Sequence, residues 1–254
     1  MSGPTATPQT LTTMEACMTL AAGPEAQFWR AQERMGPVVA AQPGFRAVIG
    51  GPIANSSWMY FCGKFDTPED MNRWYQSRRH APVMEKAYST WFDAFYIRKW
   101  RLPAKGEELT GPLFCETAIV PEAALDATTA AAVFASLSEA LPRFGPRPFE
   151  TLAGQFEPQP FQFVGPLEEY PQVAPIRYLL LTHWDDAKTL DNWLGSAQMK
   201  ALDDLGEVTT DVHVLIRHRP GERKHLNEDG SHRGWSRHAA DAHSPRPAHP
   251  TATT

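Results

Sequence analysis

Between residues 13 and 100, stretches in which apolar and polar residues alternate with period two are separated by stretches with helical spacing. In the first, Met14, Ala16 and Met18 share one side, and Glu15, Cys17 and Thr19 share the other. This predicts a strand over 13–20. A helix starting near Pro24 follows, with Phe28, Trp29, Gln32 and Met35 on one face, and then strands over 45–49 and 58–65. The second helix has a clear start: Asp66 or Thr67 as cap, Pro68 in the first turn and Asp70 three residues after Thr67. Its apolar stripe is Met71, Trp74 and Tyr75. Pro82 bends or restarts it, and Met84, Ala87, Tyr88 and Trp91 continue it. A fourth strand covers 92–100. The order is β-α-β-β-α-β.

The same order recurs. FDTPEDMNRWYQS, from Phe65 to Ser77, matches WDDAKTLDNWLGS, from Trp184 to Ser196, at an offset of 119. The offset persists to FYIRK (Phe95–Lys99) against VLIRH (Val214–His218). Upstream, MEACM at Met14 matches CETAI at Cys115, so Glu15 meets Glu116. PGFRAVIGG at Pro43 resembles RPFETLAGQ at Arg147. The elements expected in this second copy are 114–120, 128–141, 148–155, 176–184, 186–205 and 211–217. The division is therefore an unstructured start at 1–12, a first repeat at 13–102, a linker at 103–112 and a second repeat at 113–218. The second repeat carries a Pro- and aromatic-rich insertion at 156–175, and an unstructured tail occupies 219–254.

A β-α-β-β-α-β unit is the ferredoxin-like split motif, an antiparallel sheet with helices on one face and the other face bare. Two such sheets in one chain can turn their bare faces toward each other and enclose a cavity. On strand 4, Phe95 and Ile97, like Val214 and Ile216, should face the helices. Ala94, Tyr96 and Arg98, like His213, Leu215 and Arg217, should face the cavity. On strand 3, Trp58 and Tyr60 form one set and Met59 and Phe61 the other; the larger, more polar set suits a cavity lining.

Composition narrows the function. Of 254 residues, 42% are hydrophobic and 21% charged, and the net charge is −5, so neither nucleic acid nor an anionic membrane is expected as partner. Cys17, Cys62 and Cys115 form no CxxC pair, which argues against a disulfide framework or a thiolate metal site; Cys17 and Cys62 suit small buried positions. No secretory signal or spanning apolar run is visible, so a cytoplasmic location is expected. Five of the nine histidines fall in the tail, at spacings matching no zinc template. GxGxxG, Walker, GxSxG and HExxH sequences are absent.

Among groups that carry chemistry, His80 stands beside the expected cavity mouth, at the middle of the second helix, with a pKa near neutrality as acid, base or ligand. Glu15 and Glu116 recur on strand 1. Each either pairs with Arg98 or Arg217, or stands unpaired with a raised pKa as a base. His183 and His213 could cluster with Glu116. Asn55 follows the turn at Gly50-Gly51-Pro52.

The helix sequence Trp74-Tyr75-Gln76-Ser77-Arg78-Arg79-His80, with Gly44-Phe45 before strand 2, resembles the antibiotic biosynthesis monooxygenase (ABM) superfamily of dimeric α+β barrels. The likeness covers both copies, though the second has Met199 in place of His80. It implies an oxygenase acting on a hydrophobic, aromatic small molecule in the barrel cavity, with molecular oxygen and no bound cofactor. Asn55 and Trp58 would handle substrate and oxygen, with Arg98, Tyr60, Tyr96 and Cys17 beside them, and His80 or Glu15 would take a proton. Haem-degrading relatives imply an alternative with His80 as axial iron ligand. Those relatives carry an Asn on strand 1, where this chain has Glu15 or Cys17. A non-catalytic small-molecule binder or assembly module is the third reading. One copy is expected to be catalytic and the other structural. The sheet edges and the insertion leave room for a homodimer.

Overall fold

The computed structural model describes residues 11–52, 58–123, 125–145, 161–164, 178–216 and 235–236. The first half contains β1 (Thr12–Leu20), α1 (Glu25–Ala40), β2 (Phe45–Pro52), β3 (Trp58–Phe65), α2 (Pro68–Tyr75), α3 (Ala81–Lys86), a π-helical turn (Ala87–Trp91) and β4 (Phe92–Arg101). The second half contains β5 (Leu113–Pro121), α4 (Ala127–Ala140), β6 (Phe161–Val164), β7 (Tyr178–Trp184), α5 (Ala187–Leu194), α6 (Ala197–Lys200) and β8 (Gly206–Leu215). The expected strand at 148–155 lies outside the described residues.

The helix starts follow from local chemistry. Thr67 Oγ1 accepts from the Asp70 amide at 3.1 Å, and Asp186, 119 residues on, caps α5 by accepting from the Thr189 amide at 2.9 Å. Pro82 restarts the chain as α3, so the second helix is broken rather than continuous. His80 is the N-cap residue of α3 instead of a mid-helix residue.

The strands pair in the order β6-β2-β3-β1-β4-β8-β5-β7, every pair antiparallel. Within each half, strand 1 is flanked by strands 3 and 4, as the split motif requires. A two-residue strand, β9 (Trp235–Ser236), pairs with β4, inside the segment expected to be an unstructured tail. β1 and β7 lie four strands apart in this order, yet Glu15 on β1 and His183 on β7 are 2.9 Å apart. The sheet therefore curls until its bare faces meet, giving an α+β barrel within one chain. Along the sheet the halves are joined at two places among the described residues: Trp100 opposite Leu215 and Arg101 opposite Val214 between β4 and β8, and the four pairs from Ala47 opposite Val164 to Gly50 opposite Phe161 between β2 and β6.

Pairing registers correct one sequence expectation. Opposite Glu15 and Glu116 on one side stand Cys62 and Leu181, 119 residues apart; on the other side stand Arg98 and Asp211, only 113 apart. The gapless match through FYIRK and VLIRH is thus not kept, because the second half crosses from its helix to strand 4 with six residues fewer. β8 accordingly begins at Gly206, ahead of the expected 211. Gly206 has φ +156°, and a Cβ there would collide with the Val120 carbonyl. Arg217, the expected partner of Glu116, lies outside the described residues.

Candidate functional site

Two interiors exist, and they differ. The first is the space between the bare faces. Cys17, Tyr60, Cys62, Trp100, Phe114, Leu179 and Leu181 interlock there. Polar pairs complete the filling. Glu15 accepts from Trp100 Nε1 at 2.8 Å and lies 2.9 Å from His183 Nε2. Lys64 Nζ donates to Glu116 at 2.6 Å, and Thr13 meets His213 at 3.2 Å. Burial pushes the Glu15 carboxyl up, but His183, Arg98 and Trp100 outweigh it and hold the pKa down at about 2. Lys64 is held above its ordinary value because Glu116 overcomes the burial that would lower it. Burial drives the Cys62 thiol up and the Cys115 thiol to about 12, so neither is a ready nucleophile. Among the described residues no group of three side chains is arranged to hold a metal ion.

This region was the expected cavity. Bulky rings from both halves occupy it instead, so Glu15, Cys17, Tyr60 and Arg98 are buried members of the joint between the halves. The paired alternative for Glu15 is the one the geometry shows, although His183 and Trp100 make the hydrogen bonds. His183 and His213 join this polar filling.

The second interior lies on the opposite face of the first sheet, beneath α1, α3 and the π-helical turn. Here is a cavity of about 120 Å³, lined by Met14, Ala16 and Met18 of β1, Phe95 and Ile97 of β4, and Phe28, Met35, Met84 and Trp91 from the helical layer. The alternation on β1 and β4 was legible; what lies over these residues was not. Phe28 organises one end, meeting Phe61, Trp91 and Phe92 edge-on at ring separations of 5.9–6.3 Å. Methionines give the walls a soft, adaptable surface.

Gln32 and Tyr75 bring polar groups to this largely apolar lining, and two other lining residues carry polar atoms without a partner. His80, only 8% exposed, stacks on Trp74 at 4.2 Å, and its Nδ1 is buried without a hydrogen-bond partner. Its amide donates to Ser77 Oγ at 3.1 Å, which fixes its position at the start of α3. Burial lowers its pKa to about 4, weakly opposed by the Tyr75 backbone, so the ring is neutral at pH 7 rather than poised near neutrality. Trp91, 5% exposed, likewise has its indole Nε1 buried and unpartnered. An orphaned buried donor or acceptor costs about 1–3 kcal/mol, which a ligand supplying the missing partner recovers.

Of the expected site residues whose side chains are described, His80 alone lines this chamber. Asn55 lies outside the described residues. Trp58 and Tyr96 are placed by their strands, opposite Thr19 and Cys17 on β1. Trp91 went unrecognised because a tryptophan on a helical stripe reads as core; its missing hydrogen-bond partner leaves no trace in sequence. The π-helical turn that carries it, a feature frequent at functional sites, was equally silent.

No family model matches the chain, and no curated protein matches it. Solved structures do. An aldoxime dehydratase crystallised with butyraldoxime is 10% identical, covering 82% of this chain and 80% of its own at TM-score 0.47. An anthrone oxidase-like protein is 10% identical over 85% of this chain and 95% of its own, at TM-score 0.33. A monooxygenase-like protein from Listeria innocua is 8% identical over 84% and 98%, at TM-score 0.28. At such identities a likeness concerns the fold and carries no activity across.

Proposed function

We propose that the chamber of the first half binds a small aromatic molecule bearing a hydroxyl or an enolisable carbonyl, and that the protein is an oxygenase needing no bound cofactor. The observation that carries this reading is the pair of orphaned polar atoms, His80 Nδ1 and Trp91 Nε1, on two residues that line a largely apolar chamber. Trp91 Nε1 donates to a ligand oxygen and steadies negative charge that develops on it. Neutral His80 meets the ligand's acidic hydrogen and takes the proton as it leaves. The carbanion or enolate so formed, shielded from water, gives electrons to molecular oxygen. A methylene carbon then loses two hydrogens and gains one oxygen atom as a carbonyl, while the second oxygen atom leaves as water. No external electron donor is required.

The chamber's size bears on the haem alternative. An engineered protein cavity of about 150 Å³ holds benzene. A cavity of about 120 Å³ is on that single-ring scale, and a tetrapyrrole does not fit it. No step is assigned to haem, and His80 acts here on a proton.

The test is twofold. 4-Ethylphenol should quench tryptophan fluorescence on binding to wild type and fail to do so with His80→Met. Oxygen uptake with 2-indanone or 2-tetralone should be measurable and disappear in the same variant. Binding without oxygen uptake reduces the protein to a small-molecule binder. A Soret band in the purified protein overturns the cofactor-free reading.

A further inference from the structure

A second recess opens beside the chamber and shares two of its walls, Val83 and Trp91. Its remaining lining is mostly basic: Arg30 and Arg34 from α1 and Lys86 from α3, with Gln27 beside them. Gln27, Arg30 and Arg34 follow one another at helical spacings of three and four, so they lie along a single face of α1. This face flanks the one on which Phe28 and Met35 reach into the chamber.

Four features single out this recess. Arg30 and Arg34 are like charges one helical turn apart, an arrangement that destabilises an isolated helix, and Lys86 adds a third positive charge. Among the described residues none of the three has a salt-bridge partner within 4.0 Å. Glu33 and Glu85 adjoin them in sequence but do not line the recess. The chain as a whole carries −5, so the patch opposes the general charge. Finally, the wall common to both spaces is Trp91, whose buried indole N–H is unpartnered.

We propose that the natural ligand is an apolar acid: a ring or short hydrocarbon body in the chamber, with a carboxylate at the mouth held by Arg30, Arg34 and Lys86. The proposal rests on the chamber being the ligand site and adds the charge of what enters it. Arginine suits the role, since its planar fork meets a carboxylate with two parallel hydrogen bonds. Trp91, which lines both spaces, donates its indole N–H to an oxygen of the same ligand. An acid so held has a fixed orientation, its apolar end directed past His80.

4-Ethylbenzoate and 4-ethylphenol provide matched probes of similar size, titrated by tryptophan fluorescence at 20 mM and 300 mM NaCl. Wild type should bind the benzoate about tenfold more tightly than the phenol at low salt, and the preference should shrink at high salt, as screening of exposed charges requires. In the charge-reversal variant Arg30→Glu/Arg34→Glu, exposed positions whose replacement leaves the core intact, the preference should collapse or invert. Phenol binding without any benzoate preference overturns this inference and leaves the chamber assignment standing. Failure of both probes removes both. Benzoate binding that survives His80→Met unchanged places the anion in the recess alone and overturns the two-part ligand.

Discussion

The two halves share a plan, and one is hollow where the other is closed. In the second half, Leu137, Leu141, Leu190, Trp184, Trp193, Met199 and Leu202 are all buried in one cluster beneath the helices. In the first, the corresponding layer encloses the chamber. The difference traces to the crossing from the second helix to strand 4, six residues longer in the first half by strand register. The longer crossing is built as α3, with His80 as its N-cap, and the π-helical turn, and these bring His80, Met84 and Trp91 to the chamber wall. The second half crosses with the short α6 and a 3-10 turn at Ala201–Asp204 instead. At one matched point the same serine-to-amide hydrogen bond recurs and the residue that donates it changes. Ser77 Oγ accepts from the His80 amide at 3.1 Å, and Ser196 Oγ accepts from the Met199 amide at 3.2 Å. An orphaned indole by itself marks nothing, for Trp193 Nε1 in the closed half is orphaned too. The combination of a cavity with two unpartnered polar atoms on its lining residues is what separates the halves.

The contrast can be attacked at several points. Leu190, fully buried in the closed half, should cost about 4 kcal/mol on truncation to Ala, whereas Met84→Ala at the chamber wall should cost about 1 kcal/mol, because a wall residue beside a void loses fewer contacts. Urea unfolding of the two variants measures the gap, and equal losses would mean that the chamber is as well packed as the other core. The pH profile comes next. His80 titrates near 6.5 when unfolded and at about 4 when folded. Its contribution is complete above pH 6.5 and is lost as pH falls toward 4, since only the unfolded chain binds the proton in that window. The loss amounts to about 3 kcal/mol. His80→Met should remove that slope from the stability profile relative to wild type. Met199→His places an unpartnered ring nitrogen in a filled core and should cost about 2 kcal/mol, read by the same denaturation. Smallest of all, His80→Met at pH 7 should change stability by less than about 1 kcal/mol, in the stabilising direction, while abolishing ligand binding.

Much of the fold was legible, and for clear reasons. The caps at Thr67 and Asp186, the alternation on β1 and β4 and the 119-residue offset through strand 3 are local signals, and local chemistry settles them. The register of the last strand was not legible, because FYIRK and VLIRH resemble each other at a spacing that the shorter crossing does not preserve. The location of the cavity was misplaced for a related reason. Alternation tells which residues share a face, but not whether facing rings will interlock. Trp100, Tyr60 and Phe114 do interlock, closing the space expected to be open, while Met14, Ala16 and Met18, expected to be core, line the open one. The helix motif singled out His80 but set it beside the other cavity, and the place of Trp91 on the chamber required coordinates.

The narrow strand seam between β4 and β8 has a consequence of its own. With two residue pairs and the Ile216 amide donating to the Lys99 carbonyl at 2.9 Å, backbone hydrogen bonding at this seam is sparse, and the longer ladder between the halves is the one of four pairs between β6 and β2. Further cohesion comes from the β6–β2 ladder and from the side chains locked in the lumen, among them Glu15 with His183 and Lys64 with Glu116. A protease nick between Leu102 and Pro112 should therefore leave the fragments clasped. The two lobes, expressed as separate polypeptides, should find each other and reconstitute the whole, as the pieces of a split reporter do.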